Sequence, residues 1–217
     1  MLHPVFRPII SALRRLLYPG AGAYWEKRYA RGGDSGPGSA GRLAAYKAET
    51  VNRFVRERGV GSVVEFGCGD GRQLRLAVYP AYTGLDISES AVERCRSLFA
   101  GDLSKRFETY RPEDFDPLDF QADMALSMEV IFHLTEEDTY NLYMRHLFAA
   151  ARHWVVIFSS DEADTKNVLF PHFRQRRFSD DIPQGWSLRE RLPNPHSDIS
   201  ISEFFFYEKV RSDARDA

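Results

Sequence analysis

Cysteine is scarce: the 217 residues contain only Cys68 and Cys95. One sits inside a glycine turn and the other on a predicted helix, so no disulfide framework is expected and a reduced, cytoplasmic protein is. A surplus of either charge is also missing, with 29 Lys and Arg against 31 Asp and Glu. General nucleic-acid binding needs a basic face that neutralises phosphates, so no nucleic-acid partner is expected. No apolar run approaches the roughly 20 residues of a membrane span. No small-residue cleavage site follows a continuous apolar block near the start, so no signal peptide is expected. What is present is a 43% apolar share. That supports one full-sized core, hence one domain with room for an appendage.

One stretch organises the chain. Val63-Val64-Glu65-Phe66 reads as a buried parallel strand, and Gly67-Cys68-Gly69-Asp70-Gly71 as a glycine turn. Arg72 to Ala77 is helix-compatible. Glycines at alternate positions let backbone N–H groups approach a ligand closely, because no Cβ intervenes and positive φ is accessible. A second strand, Tyr82-Thr83-Gly84-Leu85, ends in Asp86, nineteen positions after Gly67. A carboxylate near that offset meets the ribose hydroxyls of nucleotide-like cofactors. A dinucleotide dehydrogenase is the competing reading. It usually places G-x-G-x-x-G at the chain start, whereas here about sixty residues precede the strand and position 72 is Arg.

Further elements emerge from periodicity. Val5, Phe6, Ile9, Ile10, Leu13, Leu16 and Leu17 share one arc of a helix over residues 1–20, opposite Arg7, Arg14 and Arg15. That face suits packing or dimerisation through residues 5–17, or a weak membrane-surface contact at the inner face of the membrane. Residues 41–58 form a helix with Lys47 inside its apolar arc, read as a snorkelling lysine or one reaching an acidic group. Ser88 caps the next helix. Phe107–Tyr110, Ala122–Ser127 and His153–Ser160 read as strands three to five, and Thr135 opens a helix. Trp186–Leu192 and Ile199–Lys209 form a terminal hairpin, with a polar tail over 211–217 after it.

Glu65-x-Gly67-x-Gly69-x-Gly71, followed by Leu85-Asp86-Ile87-Ser88, resembles the cofactor-binding pattern of class I S-adenosylmethionine-dependent methyltransferases. The resemblance implies an α/β fold: a doubly wound, seven-stranded, mostly parallel sheet with an antiparallel C-terminal hairpin. It divides the chain into a lid over 21–41 and a methyltransferase domain over 42–210. Tyr24-Trp25-x-x-Arg28-Tyr29 before a Gly/Ser loop, Val130-Ile131-x-His133-Leu134, Ser159-Ser160 and His172-x-Arg174-x-Arg176 resemble a subgroup encoded with genes for bacterial surface polysaccharides. Glu129 stands where an aspartate is expected in that subgroup, and Gln175 where a histidine is.

The cofactor implied is S-adenosyl-L-methionine. Tyr24, Trp25 and Arg28 would hold its amino-acid end, and Glu65, Gly67, Cys68 and Gly69 would run beneath the methionine portion. Asp86 and Ile87 would meet the ribose, and Asp114, with Glu113 and Phe115, the adenine. Ser127 and Met128 end the fourth strand beside the methyl group. His133 is the candidate base and Glu129 its orienting partner, since i and i+4 meet on a helix. His172, Arg174 and Arg177 would meet an acidic acceptor such as a uronic acid or nucleotide sugar. No [DN]-P-P-[YF], glutamate hairpin or carboxylate cluster follows the fourth strand, so adenine N6, arginine and metal-assisted catechol chemistry are not expected, and no metal is. The resulting expectation is O-methylation of a sugar or glycan-related small acceptor. The alternatives are N-methylation of a small metabolite or peptide, and a non-catalytic cofactor-binding or membrane-associated scaffold.

Overall fold

The computed structural model describes residues 18–162 and 172–210. The amphipathic arc over 5–17, Phe170 and Pro171 of the basic-aromatic segment, and the tail over 211–217 lie outside the described residues. Among the described residues, four α-helices and seven strands follow in chain order. They are α1 (Ala21–Ala30), α2 (Gly41–Arg58), β1 (Val63–Phe66), β2 (Tyr82–Asp86) and α3 (Glu89–Leu98). They continue with β3 (Lys105–Thr109), β4 (Ala122–Met128), α4 (Glu137–Ala149), β5 (Ala151–Ser159), β6 (Trp186–Leu192) and β7 (Glu203–Lys209).

The strands pair in one sheet of order β3-β2-β1-β4-β5-β7-β6. β1 to β5 run parallel, and β7 lies antiparallel between β5 and β6. This is the expected doubly wound α/β sheet with its C-terminal hairpin. The central strands are apolar on both faces, as strands covered by helices on two sides must be. Pleating sends alternate residues to opposite layers. Val63, Met124, Leu126, Val156, Phe204 and Phe206 pack with Leu43, Val51 and Phe54 of α2. Their neighbours Val64, Ala125, Val155, Ile157, Phe205 and Tyr207 pack with Tyr143, Leu147 and Phe148 of α4. Strand order reverses between β1 and β4, and the crevice outside the carboxyl ends at that point is where such sheets take ligands.

Strands three to five shift by one or two residues at their ends, and three larger departures from the sequence expectation have a visible cause. The stretch after Gly71 makes only one 3₁₀ turn, Gln73–Leu76. Asn52 of α2 holds the chain beyond that turn in extended form, donating from Nδ2 to Leu76 O and accepting at Oδ1 from Val78 N. Too few residues remain before β2 to nucleate an α-helix. The helix expected from Thr135 begins at Glu137, and the Glu136 carboxylate instead accepts from Ala21 N at the start of α1. β7 starts at Glu203 rather than Ile199, because Ser200 is drawn away by Asn194 and Glu129. Ser88 does cap α3, its hydroxyl accepting from Ala91 N.

Gly84 lies mid-β2, where an added Cβ would stand 2.8 Å from Phe107 Cδ1 and 3.0 Å from Cys68 Cβ. Gly84→Ala is expected to destabilise by about 1–3 kcal/mol through overpacking. Urea unfolding monitored by circular dichroism measures it; unchanged stability would show that β2 and the turn after β1 do not pack this tightly.

Candidate active site

β1 ends in the glycine turn, where Gly67, Gly69 and Gly71 have φ of 88°, 58° and 75°. These left-handed values favour glycine. A Cβ at Gly67 would collide with Val130, and one at Gly69 with Ser35 Oγ. The turn is fixed from β2: Asp86 Oδ2 accepts from Gly69 N at 2.8 Å, and Oδ1 from Ser88 N at 2.9 Å. Burial pushes the Asp86 carboxyl up to about 6, against the pull of these two bonds.

Residues 21–40 fold down on this turn. Ser35 N donates to Asp70 Oδ2 and Asp70 N donates to Ser35 Oγ, each at 3.1 Å. Arg94 of α3 donates to the carbonyls of Gly33 and Tyr29. Glu26 accepts from Ser88 Oγ and Ser90, and those bonds hold its carboxyl below its usual value. The result is a cavity of about 430 Å³ at the C-terminal ends of β1, β2 and β4. That is within the range of small-molecule sites.

Of the residues expected at the site, Trp25, Glu65, Gly67, Cys68, Gly69, Asp86, Ile87, Met128, Glu129 and His133 line the cavity. Glu113 and Asp114 line a shallower side pocket that shares Ile87, Tyr110 and Thr139 with it. The others sit elsewhere. Phe115 packs among Phe66, Tyr110 and Phe120. Ser127 Oγ accepts from Tyr143. Tyr24 stacks on His172 at 4.7 Å, and Arg28 is tied to Asp34, so neither lines the cavity. Arg174 and Arg176 both close on Glu137, and Arg176 lies over the Tyr140 ring. Of the two arginines read as awaiting an acidic acceptor, Arg174 is thus engaged by a carboxylate of α4, and Arg177 is exposed at the start of a 3₁₀ turn.

The orientation of His133 by Glu129 is corrected. The segment after β4 is not α-helical: Glu129 has φ 59°, and only Ile131–His133 form a 3₁₀ turn. The Glu129 carboxylate instead accepts from Lys47 Nζ at 3.4 Å and Ser200 Oγ at 2.6 Å. Lys47 is therefore not a snorkelling lysine; it is 1% exposed and reaches an acidic group of the site. His133 is oriented by the main chain of His172, whose carbonyl lies 2.8 Å from Nδ1. A carbonyl only accepts, so Nδ1 carries the proton. Burial pushes the imidazole down to about 4, so it is neutral near pH 7 and Nε2 holds a free lone pair.

Sequence reasoning missed Tyr29, Ser35, Tyr143, Phe173 and the Ile199–Ser202 loop as cavity wall. Two of these carried a signal: Tyr29, which ends the Tyr-Trp-x-x-Arg-Tyr motif, and Ser35 in the Gly-rich loop beside it.

These features place a glycine turn and a buried carboxylate around one cavity at the carboxyl ends of a doubly wound sheet. A methyltransferase-domain family profile matches residues 40–192, and the chain belongs to that family. It is a class I S-adenosylmethionine-dependent methyltransferase. No curated protein matches the sequence. Among solved structures, the N-methyltransferase NodS of Bradyrhizobium japonicum WM9 with S-adenosylhomocysteine is 14% identical, with TM-score 0.71 over 88% of this chain and 100% of that one. The methyltransferase domain of bacterial CtHen1-C is 18% identical, with TM-score 0.62 over 78% of this chain and 100% of that one. Magnesium protoporphyrin IX methyltransferase of Synechocystis PCC 6803 with bound S-adenosylmethionine is 15% identical, with TM-score 0.60 over 97% and 99%.

Glu65 gives a test of the site's electrostatics. It is 4% exposed, and burial pushes its carboxyl up to about 7, although Tyr82 Oη donates to it at 2.6 Å. A raised acid contributes stability that is fully present below its unfolded value and lost as pH rises through about 7. Glu65→Gln keeps an acceptor for Tyr82 and removes the charge. It is expected to be more stable than wild type at pH 8 by about 1–3 kcal/mol, with the gap closing towards pH 4.5. Thermal melts across that range decide it; a pH-independent difference would mean that Glu65 does not titrate there.

Proposed function

We propose that the enzyme methylates a hydroxyl of a small, uncharged, sugar-like acceptor, with His133 as general base. The observation that carries this reading is the neutral His133 imidazole in the cavity wall, its Nδ1 proton committed to the His172 carbonyl.

The residues present fit S-adenosylmethionine. The glycine turn leaves backbone space that a Cβ would fill, Asp86 ends β2 inside the cavity, and Ile87 and Tyr110 connect to the Glu113 and Asp114 pocket. Gly67, Cys68 and Gly69 would lie under the methionine portion, Asp86 at the ribose, and Asp114 or Glu113 at the adenine. When bound, the cofactor supplies an activated methyl group on a sulfonium sulfur.

An alcohol is too weakly acidic to be ionised near neutrality, so its proton must leave as the oxygen is alkylated. His133 Nε2 takes that proton, and the charge of Glu129 acts on His133 in the direction that favours protonation. Such base assistance contributes about 10²–10⁴-fold. Trp25 and Phe132 pack against the imidazole at ring-centroid distances of 4.9 and 4.7 Å. The engagement of Arg174 and Arg176 by Glu137 favours an uncharged acceptor over the acidic sugar that the arginine pattern alone suggested. The near balance of charge argues against a polyanionic acceptor such as RNA.

Calorimetric titration with S-adenosylmethionine comes first. Wild-type protein is expected to bind, and Asp86→Ala to lose about tenfold or more, having lost both the ribose contact and the clamp on Gly69 and Ser88. Unchanged affinity would remove Asp86 from the site. With an acceptor drawn from a panel of neutral glycosides, His133→Asn is expected to cut turnover by about 10²–10⁴-fold with cofactor affinity retained. Turnover that survives this change points to an amine acceptor, which needs no base to expose its lone pair.

A further inference from the structure

We infer that Lys47 and Gln73 form the subsite for the amino-acid end of the cofactor, Lys47 taking its carboxylate and Gln73 its ammonium. The inference rests on the cofactor reading above and assigns a role for which the sequence pattern offered Arg28.

Three groups on one cavity wall have unspent hydrogen-bonding capacity. Lys47 is the one Lys or Arg among the described residues lining the cavity. Its ammonium has three donors, yet it makes one long bond, to Glu129 at 3.4 Å, and lies 5.6 Å from the centre of the Phe158 ring. Gln73 is 8% exposed. Its Nε2 donates to Ala44 O at 2.9 Å, which fixes the side chain beside α2 and leaves Oε1 buried without a partner. Glu65 gives Oε2 to Tyr82 and also lines the cavity.

The wall therefore pairs a cation short of acceptors with two oxygens short of donors. A zwitterion answers both deficits at once: its carboxylate accepts from Lys47, and its ammonium donates to Gln73 Oε1 and Glu65. Arg28 has neither the position nor the freedom, since Nε donates to Asp34 O at 2.6 Å and the guanidinium pairs with the Asp34 carboxylate.

The test compares S-adenosylmethionine with its decarboxylated form, which keeps the sulfonium and the nucleoside, in calorimetric titrations. Wild type is expected to prefer the intact cofactor by about 10- to 100-fold, the range for one hydrogen bond to a charged group. The variant for Lys47 is Lys47→Met with Glu129→Gln, because Lys47→Met alone would strand a carboxylate. In that double variant the two ligands are expected to bind within about threefold of each other. Arg28→Ala changes a surface pair, does not touch the core, and is expected to keep the full preference. Equal binding of the two ligands by wild type, a preference that survives in the double variant, or its loss in Arg28→Ala would each overturn the assignment. Failure of wild type to bind either ligand would instead overturn the cofactor reading on which it rests.

Discussion

The carboxylate of Asp86 accepts from the backbone of Gly69 and of Ser88, and the geometry of the site depends on that pair of bonds. One bond fixes the turn after β1; the other fixes the start of α3. Between them they set the spacing of two strand ends on the cavity side of the sheet. A carboxylate this buried is costly to ionise unless it is hydrogen-bonded, and its raised pKa records that cost. The same two amides that hold Asp86 also keep it facing the cavity. One arrangement thus satisfies the buried carboxylate and aims it at the cavity, and perturbed acids of this kind cluster at functional sites.

The sheet was largely legible because its signals are local. Buried parallel strands are short apolar runs, and the turn after β1 announces itself through glycines at alternate positions directly after such a run. Asp86, Glu65 and the glycines were legible for the same reason: each sits at a fixed offset from a strand end. What failed to read was everything that depends on a partner far away in sequence. The helix expected after Gly71 is displaced by Asn52, about twenty-five positions earlier. Arg174 and Arg176 looked available because Glu137, which engages them, lies on another element. The Ile199–Ser202 loop reads as the start of a strand until Glu129 draws Ser200 away.

The segment over 21–41 shows the same division. Its aromatic residues and glycines suggested a segment folding over the cofactor, but not which side chains would face inward. Trp25 and Tyr29, four positions apart on α1, line the cavity, whereas Tyr24 and Arg28, also four apart, do not. The helical repeat places each pair together on one face. It cannot say which face docks. That is decided by Glu26 on Ser88 and Ser90, and by Arg94 on the carbonyl of Tyr29, contacts made by α3 and the turn before it.

Glu129 brings these threads together. Among the described residues it is the one non-glycine with positive φ, a conformation that surrounding structure must hold in place. Lys47 from α2, Ser200 from the β6–β7 connection and the Phe158 carbonyl of β5, which accepts from Glu129 N at 2.7 Å, all converge on it. A Cβ on Gly38 would collide with its carboxylate, so the segment before α2 approaches as closely as it does only because position 38 is glycine. The strained residue therefore joins four segments that are distant in sequence, and three of them, α2, the segment before it and the β6–β7 connection, supply cavity wall. Its position after β4 resembled a helical partner for His133. Its actual work is to close the cavity around a histidine that the main chain of His172 already holds, leaving the imidazole neutral and its second nitrogen free.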